Sequence, residues 1–187
     1  MNRIPLHSLV VVVGPQLGGK STWCRSRFDR NEILDPDDLR CELTGSVDNH
    51  MFNHEVWNEI YNRTDMRLGL GQRVVIDSTN LKNRDRRLFV DLAAKHGVPV
   101  FYVPINQSMD VKLATPHAPP REVLDKSENI FMSCEREIMS GDNGLAQVLL
   151  QDCEITPFAQ PNVIAHDRIL AVGDVHGNHD AMQRALA

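Results

Sequence analysis

The run Gly14-Pro-Gln-Leu-Gly-Gly-Lys20-Ser21 constrains the possible folds of this chain more than any other feature. It fits G-x-x-x-x-G-K-[ST] in full, a pattern expected by chance in roughly one chain in a hundred of this length. Glycines let a backbone turn tightly enough for its N–H groups to face phosphate oxygens at the positive end of a following helix. Lys20 would then reach the β- and γ-phosphates of a nucleoside triphosphate, and Ser21 would hold Mg²⁺. The plain alternative is a glycine-rich turn that binds nothing. The context weighs against it: Leu9 to Val13 before the turn reads as a strand buried on both faces, and Ser21 to Phe28 after it as a helix. Gly14, Pro15, Gln16, Leu17, Gly18, Gly19, Lys20, Ser21 and Thr22 are therefore the candidate ATP-binding residues.

The rest of the chain alternates short apolar runs with longer amphipathic ones, which predicts an α/β fold with a parallel sheet. Ile33 and Leu34 make a second strand, Val74 to Ile76 a third and Val100 to Val103 a fourth. Helices are expected from about Phe52 to Leu70, where Trp57, Ile60, Tyr61 and Leu68 recur at helical spacing, and from Arg84 to His96. Met109 to Pro120, with three prolines, reads as a flexible crossing before a helix from about Pro120 to Met139. Gln151 to Asp167 reads as a linker, and Ile169 to Val172 as the start of another strand.

Composition narrows the function classes. No apolar run approaches the roughly 18–20 residues needed to span a bilayer, and the N-terminal stretch carries no signal-peptide cleavage pattern, so the expected compartment is the cytoplasm. The four cysteines form no C-x-x-C pair and are expected to be free thiols. A net charge of −5 restricts any nucleic-acid contact to a local patch or a strand end.

Two acidic segments follow strands. After the second comes Asp35-Pro36-Asp37-Asp38-Leu39-Arg40, in the crevice where α/β proteins bind ligands. A carboxylate there can orient an acceptor hydroxyl and take its proton, and an arginine three residues on can grip an acceptor phosphate. Asp35 or Asp38 would alternatively cap the next helix. After the third strand, Asp77 reads as an acid reaching Mg²⁺, or as a carboxylate bonded to neighbouring loop amides. Lys82, Arg84, Arg86 and Arg87 form the densest basic cluster, which fits an acceptor-phosphate site or a solvated helix face equally well.

Together, GPQLGGKST, DPDDLR and VVIDSTN with arginines beyond it resemble the 5′-hydroxyl polynucleotide kinases of the P-loop class. Ala171-Val-Gly-Asp-Val-His-Gly177 resembles the first motif of calcineurin-like metallophosphatases. That order is found in the bacterial and phage-type polynucleotide kinase-phosphatases of RNA repair. The resemblance implies a P-loop NTPase three-layer sandwich, adenylate-kinase-like, with a mainly parallel sheet and a helical lid. It implies a kinase domain over 1–165 and the opening of a phosphatase domain over 166–187. It also implies Lys20 and Ser21 as the phosphate-loop pair, Asp37 as general base, and Arg40, Asn80, Arg84 and Arg87 as acceptor contacts. The partners implied are 5′-OH ends of RNA or DNA, with no membrane, and the cofactors are ATP and Mg²⁺. Asp174 and His176 match the first phosphatase metal ligands, with Asn178, His179 and Asp180 beyond them. A binuclear Mn²⁺-type site needs further ligands, so what the resemblance implies is a longer protein with a phosphatase domain in cis.

The sequence departs from the resemblance in the lid. Asn106 to Pro120 contains no arginine; Lys112 and His117 are its cations, and Arg121 lies just beyond. Arginines at the transferring phosphate are worth about 10³-fold or more. Either Arg121 does this work, or transfer is slow, or activity is lost. The rival readings are a P-loop kinase of a sugar, nucleoside or antibiotic, and a nucleotide-binding module without catalysis.

Overall fold

The computed structural model describes residues 3–141 and 146–157. Its centre is β2 (Leu9–Val13), an apolar strand in which all five residues are buried. β2 is flanked by β4 (Val74–Asp77) and β5 (Val100–Pro104). Beyond β4 lies β3 (Ile33–Leu34), and beyond β5 lies β6 (Ala146–Val148), giving the order β3-β4-β2-β5-β6. Every pair is parallel. The expected α/β architecture with a parallel sheet is the observed one.

Side-chain alternation along β2 divides the interior into two cores. Leu9, Val11 and Val13 face one, against Val56, Ile60 and Leu68 of α3 (Asn53–Gly69) and Phe89 and Ala93 of α4 (Asn83–His96). Phe131, Cys134 and Ile138 of α6 (Arg121–Met139) close the same core. Val10 and Val12 face the other, with Cys24 of α1 (Lys20–Arg27), Phe28 and Val103. Helices thus cover both faces of the sheet. All four cysteines are free thiols.

The segment expected to be a flexible crossing contains a short helix, α5 (Met109–Leu113). Buried Lys112 donates to Glu128 of α6 at 2.5 Å, and Glu128 also accepts from Asn106 at 2.5 Å, so α5 is pinned to α6. The expected linker contains β7 (Glu154–Ile155), which pairs in parallel with β1 (Arg3–Ile4). Both strands are two residues long, too short to show a period. β6 was not expected either; three residues around a central glutamine give no apolar run. Among the described residues, no helix is long and apolar enough to cross a membrane. The strand expected over 169–172 and the residues Asp174, His176, Asn178, His179 and Asp180 lie outside the described residues.

Candidate active site

Parallel strands bring their C-terminal ends to one edge, and a cavity of about 1080 Å³ opens there. Its floor is the Gly14–Ser21 loop. A side chain on Gly14 would overlap the Ile105 carbonyl oxygen, so the sequence requires glycine for β2 to pass so close to the turn after β5. Gly19, just ahead of α1, has φ 87°, and Leu17 has φ 54°. A left-handed leucine costs roughly 1–2 kcal/mol. Gln107 helps hold it, donating from Nε2 to the Leu17 carbonyl at 2.6 Å. Lys20 Nζ donates to the Pro15 carbonyl at 2.7 Å, and burial lowers its proton affinity while Asp77 raises it.

Asp77 ends β4 beside Lys20 and Ser21. Burial pushes its carboxyl up, and the Ser21 hydroxyl and Lys20 pull it back. One carboxylate oxygen, Oδ2, is buried without a hydrogen-bond partner. No group of three or more His, Cys, Asp or Glu side chains is placed to hold a metal among the described residues. The unpartnered Asp77 oxygen beside the Ser21 hydroxyl fits Mg²⁺, which takes one or two protein oxygens and completes its shell with phosphates and water. Asp77 and Ser21 would supply those oxygens.

The opposite wall comes from β3 and α2 (Pro36–Thr44). Asp35 caps α2, its side chain accepting from the Asp37 N–H at 2.8 Å. It lines the cavity as well, and burial pushes its carboxyl up to about 6, with Asp77, Asp38 and Asp37 adding to the shift. Asp37 is exposed at the cavity and bonded to Arg40 Nη1. Arg40 is buried: Nη2 and Nε donate to Asn53 Oδ1 at 2.9 and 3.2 Å, and Nη1 also donates to the Val47 carbonyl at 3.3 Å. The guanidinium thus ties the start of α2 to the start of α3.

Several expected site residues lie elsewhere. Asn80, expected to contact the acceptor, is buried with φ 48°, and its amide donates to the Val12 carbonyl at 2.7 Å, bracing the turn after β4 against β2. The basic cluster divides. Arg86 is buried, donating to the carbonyls of Asn80 and Leu81 at 3.0 and 2.9 Å and to Glu137 at 3.0 Å. Lys82, Arg84 and Arg87 are exposed and outside the cavity wall. Arg121 is exposed, 3.8 Å from Asp125 on its own helix, and it too lies outside the wall. Lys112 is consumed by Glu128, and His117 is exposed. In their place, Gln107, Thr115 and Ser127 line the cavity on the α5–α6 side.

A family profile for the AAA domain matches residues 9–125, more than half of the chain, spanning the phosphate loop, the Asp37 and Asp77 segments and α5. The chain belongs to the AAA domain family. No curated protein matches this AAA domain. Among solved structures it is similar to a chain of the Pnkp1/Rnl/Hen1 RNA repair complex, at 18% identity and TM-score 0.59, over 72% of this chain and 47% of that one. A second structure of that complex matches at 21% identity and TM-score 0.51, over 60% and 40%. This AAA domain therefore spans less than half the length of those chains. It is also similar to the PezAT toxin-antitoxin system of Streptococcus pneumoniae, at 16% identity and TM-score 0.55, over 80% and 70%. These likenesses are of fold: a parallel sheet with helices on both faces and a phosphate loop after its central strand.

Proposed function

We propose that this chain transfers the γ-phosphate of ATP to the 5′-hydroxyl end of RNA or DNA. The observation that carries this reading is the pair Asp37–Arg40 on the cavity wall, with a carboxylate exposed to the cavity and a buried guanidinium behind it. A small acceptor would need only the carboxylate. A polynucleotide end also brings a phosphate one nucleotide on, and an arginine beside the base suits it. The similarity of fold to a component of an RNA repair complex supports the reading.

In the reaction, the loop N–H groups and Lys20 hold the triphosphate, and Asp77 and Ser21 would hold Mg²⁺. Mg²⁺ would neutralise the charge that develops on the phosphate oxygens. Asp37 accepts a hydrogen bond from the 5′-hydroxyl and orients its oxygen in line with the γ-phosphorus. The new O–P bond forms as the bond to the β-phosphate oxygen breaks, ADP leaves, and the proton passes to the Asp37 carboxylate and then to water. Most of the acceleration comes from positioning and charge neutralisation. The G-D-V-H-G motif of residues 173–177 is the basis for reading residues 166–187 as the opening of a phosphatase module in cis.

The test is transfer of labelled γ-phosphate to 5′-OH oligonucleotides of RNA and DNA, with a sugar and a nucleoside in parallel. Label is expected on the oligonucleotides, and Lys20→Ala should abolish it. Asp37→Ala should lower kcat by about 10²-fold or more while leaving ATP binding intact. Label on the sugar alone would replace this reading with a small-molecule kinase, and loss of ATP binding in Asp37→Ala would overturn the assignment of roles.

A further inference from the structure

Two of the aromatic side chains of the described residues line the cavity, and they are the two tryptophans of the sequence, on opposite elements. Trp23 stands on α1, directly after the phosphate loop, and its indole N–H donates to the Gln151 carbonyl at 2.8 Å. Trp57 stands on α3, one turn after Asn53, so the two share a helix face. Asn53 is the residue that holds Arg40, and Arg40 holds Asp37. Trp57 is therefore connected by short links to the carboxylate that would meet the acceptor hydroxyl. It is partly exposed, and it lines the same cavity as Lys20, Asp37 and Asp77. Behind it the ring is supported by a ladder: Trp57 to Tyr61 at 6.0 Å between centroids, and Tyr61 to Phe89 at 5.2 Å, with Phe89 fully buried in the core. A large flat side chain held rigidly from behind and open in front is costly to leave in water unless it has a partner.

We infer that Trp57 is a stacking platform for the 5′-terminal nucleobase of the acceptor strand. The inference rests on the kinase reading above and deepens it, because it makes the acceptor's first unit a nucleotide whose base is held as well as its phosphate. Stacking on an aromatic ring is tolerant of base identity, so the platform accepts any of the bases and rejects an end without one. With the base on Trp57 and the next phosphate near Arg40, the 5′-hydroxyl is fixed at two points beside Asp37.

The experiment compares a 5′-OH oligonucleotide with the same strand carrying an abasic unit at its 5′ end. For the unaltered chain, kcat/KM should fall about 5- to 150-fold on loss of the base, the range that one stacked base contributes. In Trp57→Leu the normal strand should lose the same factor, and the abasic strand should lose nothing more. KM for ATP should stay unchanged and Trp57→Phe should recover most of the loss, which a merely structural residue would not reproduce. Equal rates on both strands would overturn the inference and leave the kinase reading standing. Binding is read separately in Trp23→Phe, where Trp57 is the sole tryptophan. Its fluorescence should quench with the normal strand and much less with the abasic one. If no oligonucleotide were phosphorylated, that quench would keep the platform and remove the kinase reading. Without the quench, both would fall.

Discussion

At the scale of single residues, Asp35 carries two demands at once. As the cap of α2 it must keep an acceptor oxygen on the Asp37 N–H, yet burial beside three other aspartates raises its carboxyl from 3.8 to about 6. A folded-state value above the unfolded one means that the folded chain binds more protons across that window. Its contribution to stability is therefore full below about pH 4 and is lost as pH rises to about 6. Asn keeps the capping oxygen and removes the charge. Asp35→Asn should stabilise the nucleotide-free protein at pH 7.5 by about 1–2 kcal/mol, discounted for solvent screening, and by almost nothing near pH 4. Urea unfolding at the two pH values checks this, and an equal gain at both would sink it. Asp35 also shows what sequence could and could not reveal. Its place after a strand predicted a cap or a ligand-crevice acid, and it is both; the shift comes mainly from burial, to which Asp77, forty-two positions away in the chain, adds.

Elements were most legible where a residue type has one physical use. The β-branched run of β2 and the glycine turn after it were readable because burial on two faces and a close backbone approach each demand those residues. Charged side chains were not. In sequence Arg86 looks like a member of a basic cluster and Lys112 like a cation of the lid, but each is buried and spent on joining helices, a fact fixed by partners about fifty and sixteen positions on. Trp57 looked like part of the apolar stripe of α3, and it does pack on the core that Ile60 and Leu68 fill, but it also lines the cavity. The lysine leads to a prediction for α5. Lys112→Ala leaves Glu128 without its cation and frees α5 from α6. It should cost about 3 kcal/mol of stability, and it should raise KM for ATP because α5, which follows Asn106 and Gln107 at the loop, loses its tie to α6. Thermal unfolding and ATP titration read the two effects, and an unchanged Tm would show that Glu128 is satisfied in another way.

For the whole molecule, the question is what ties the small β1–β7 sheet to the main one. Arg73, just before β4, is fully buried and answers it. Its guanidinium bonds Glu32 at 2.8–2.9 Å, donates to the Thr156 carbonyl at 2.7 Å next to β7, and lies 5.0 Å from the centre of the Phe28 ring. Glu32 in turn accepts from the Asp29 N–H at 3.0 Å. One ion pair therefore joins the end of α1, the edge strand β3, the central sheet and the segment following β7. Buried pairs are costly to break and cheap to replace, because removing one partner strands a charge whereas removing both strands none. Arg73→Met and Glu32→Leu should each lose about 3–5 kcal/mol, and the double substitution should lose clearly less than the sum. Hydrogen exchange of the Thr156 amide, which donates to the Ile4 carbonyl at 2.9 Å, should quicken in Arg73→Met, while the amides of β2 change only with global stability. If the two substitutions were simply additive, the pair would not act as a unit, and the small sheet would be held by its backbone bonds and by the packing of Ile4 and Ile155 on the core.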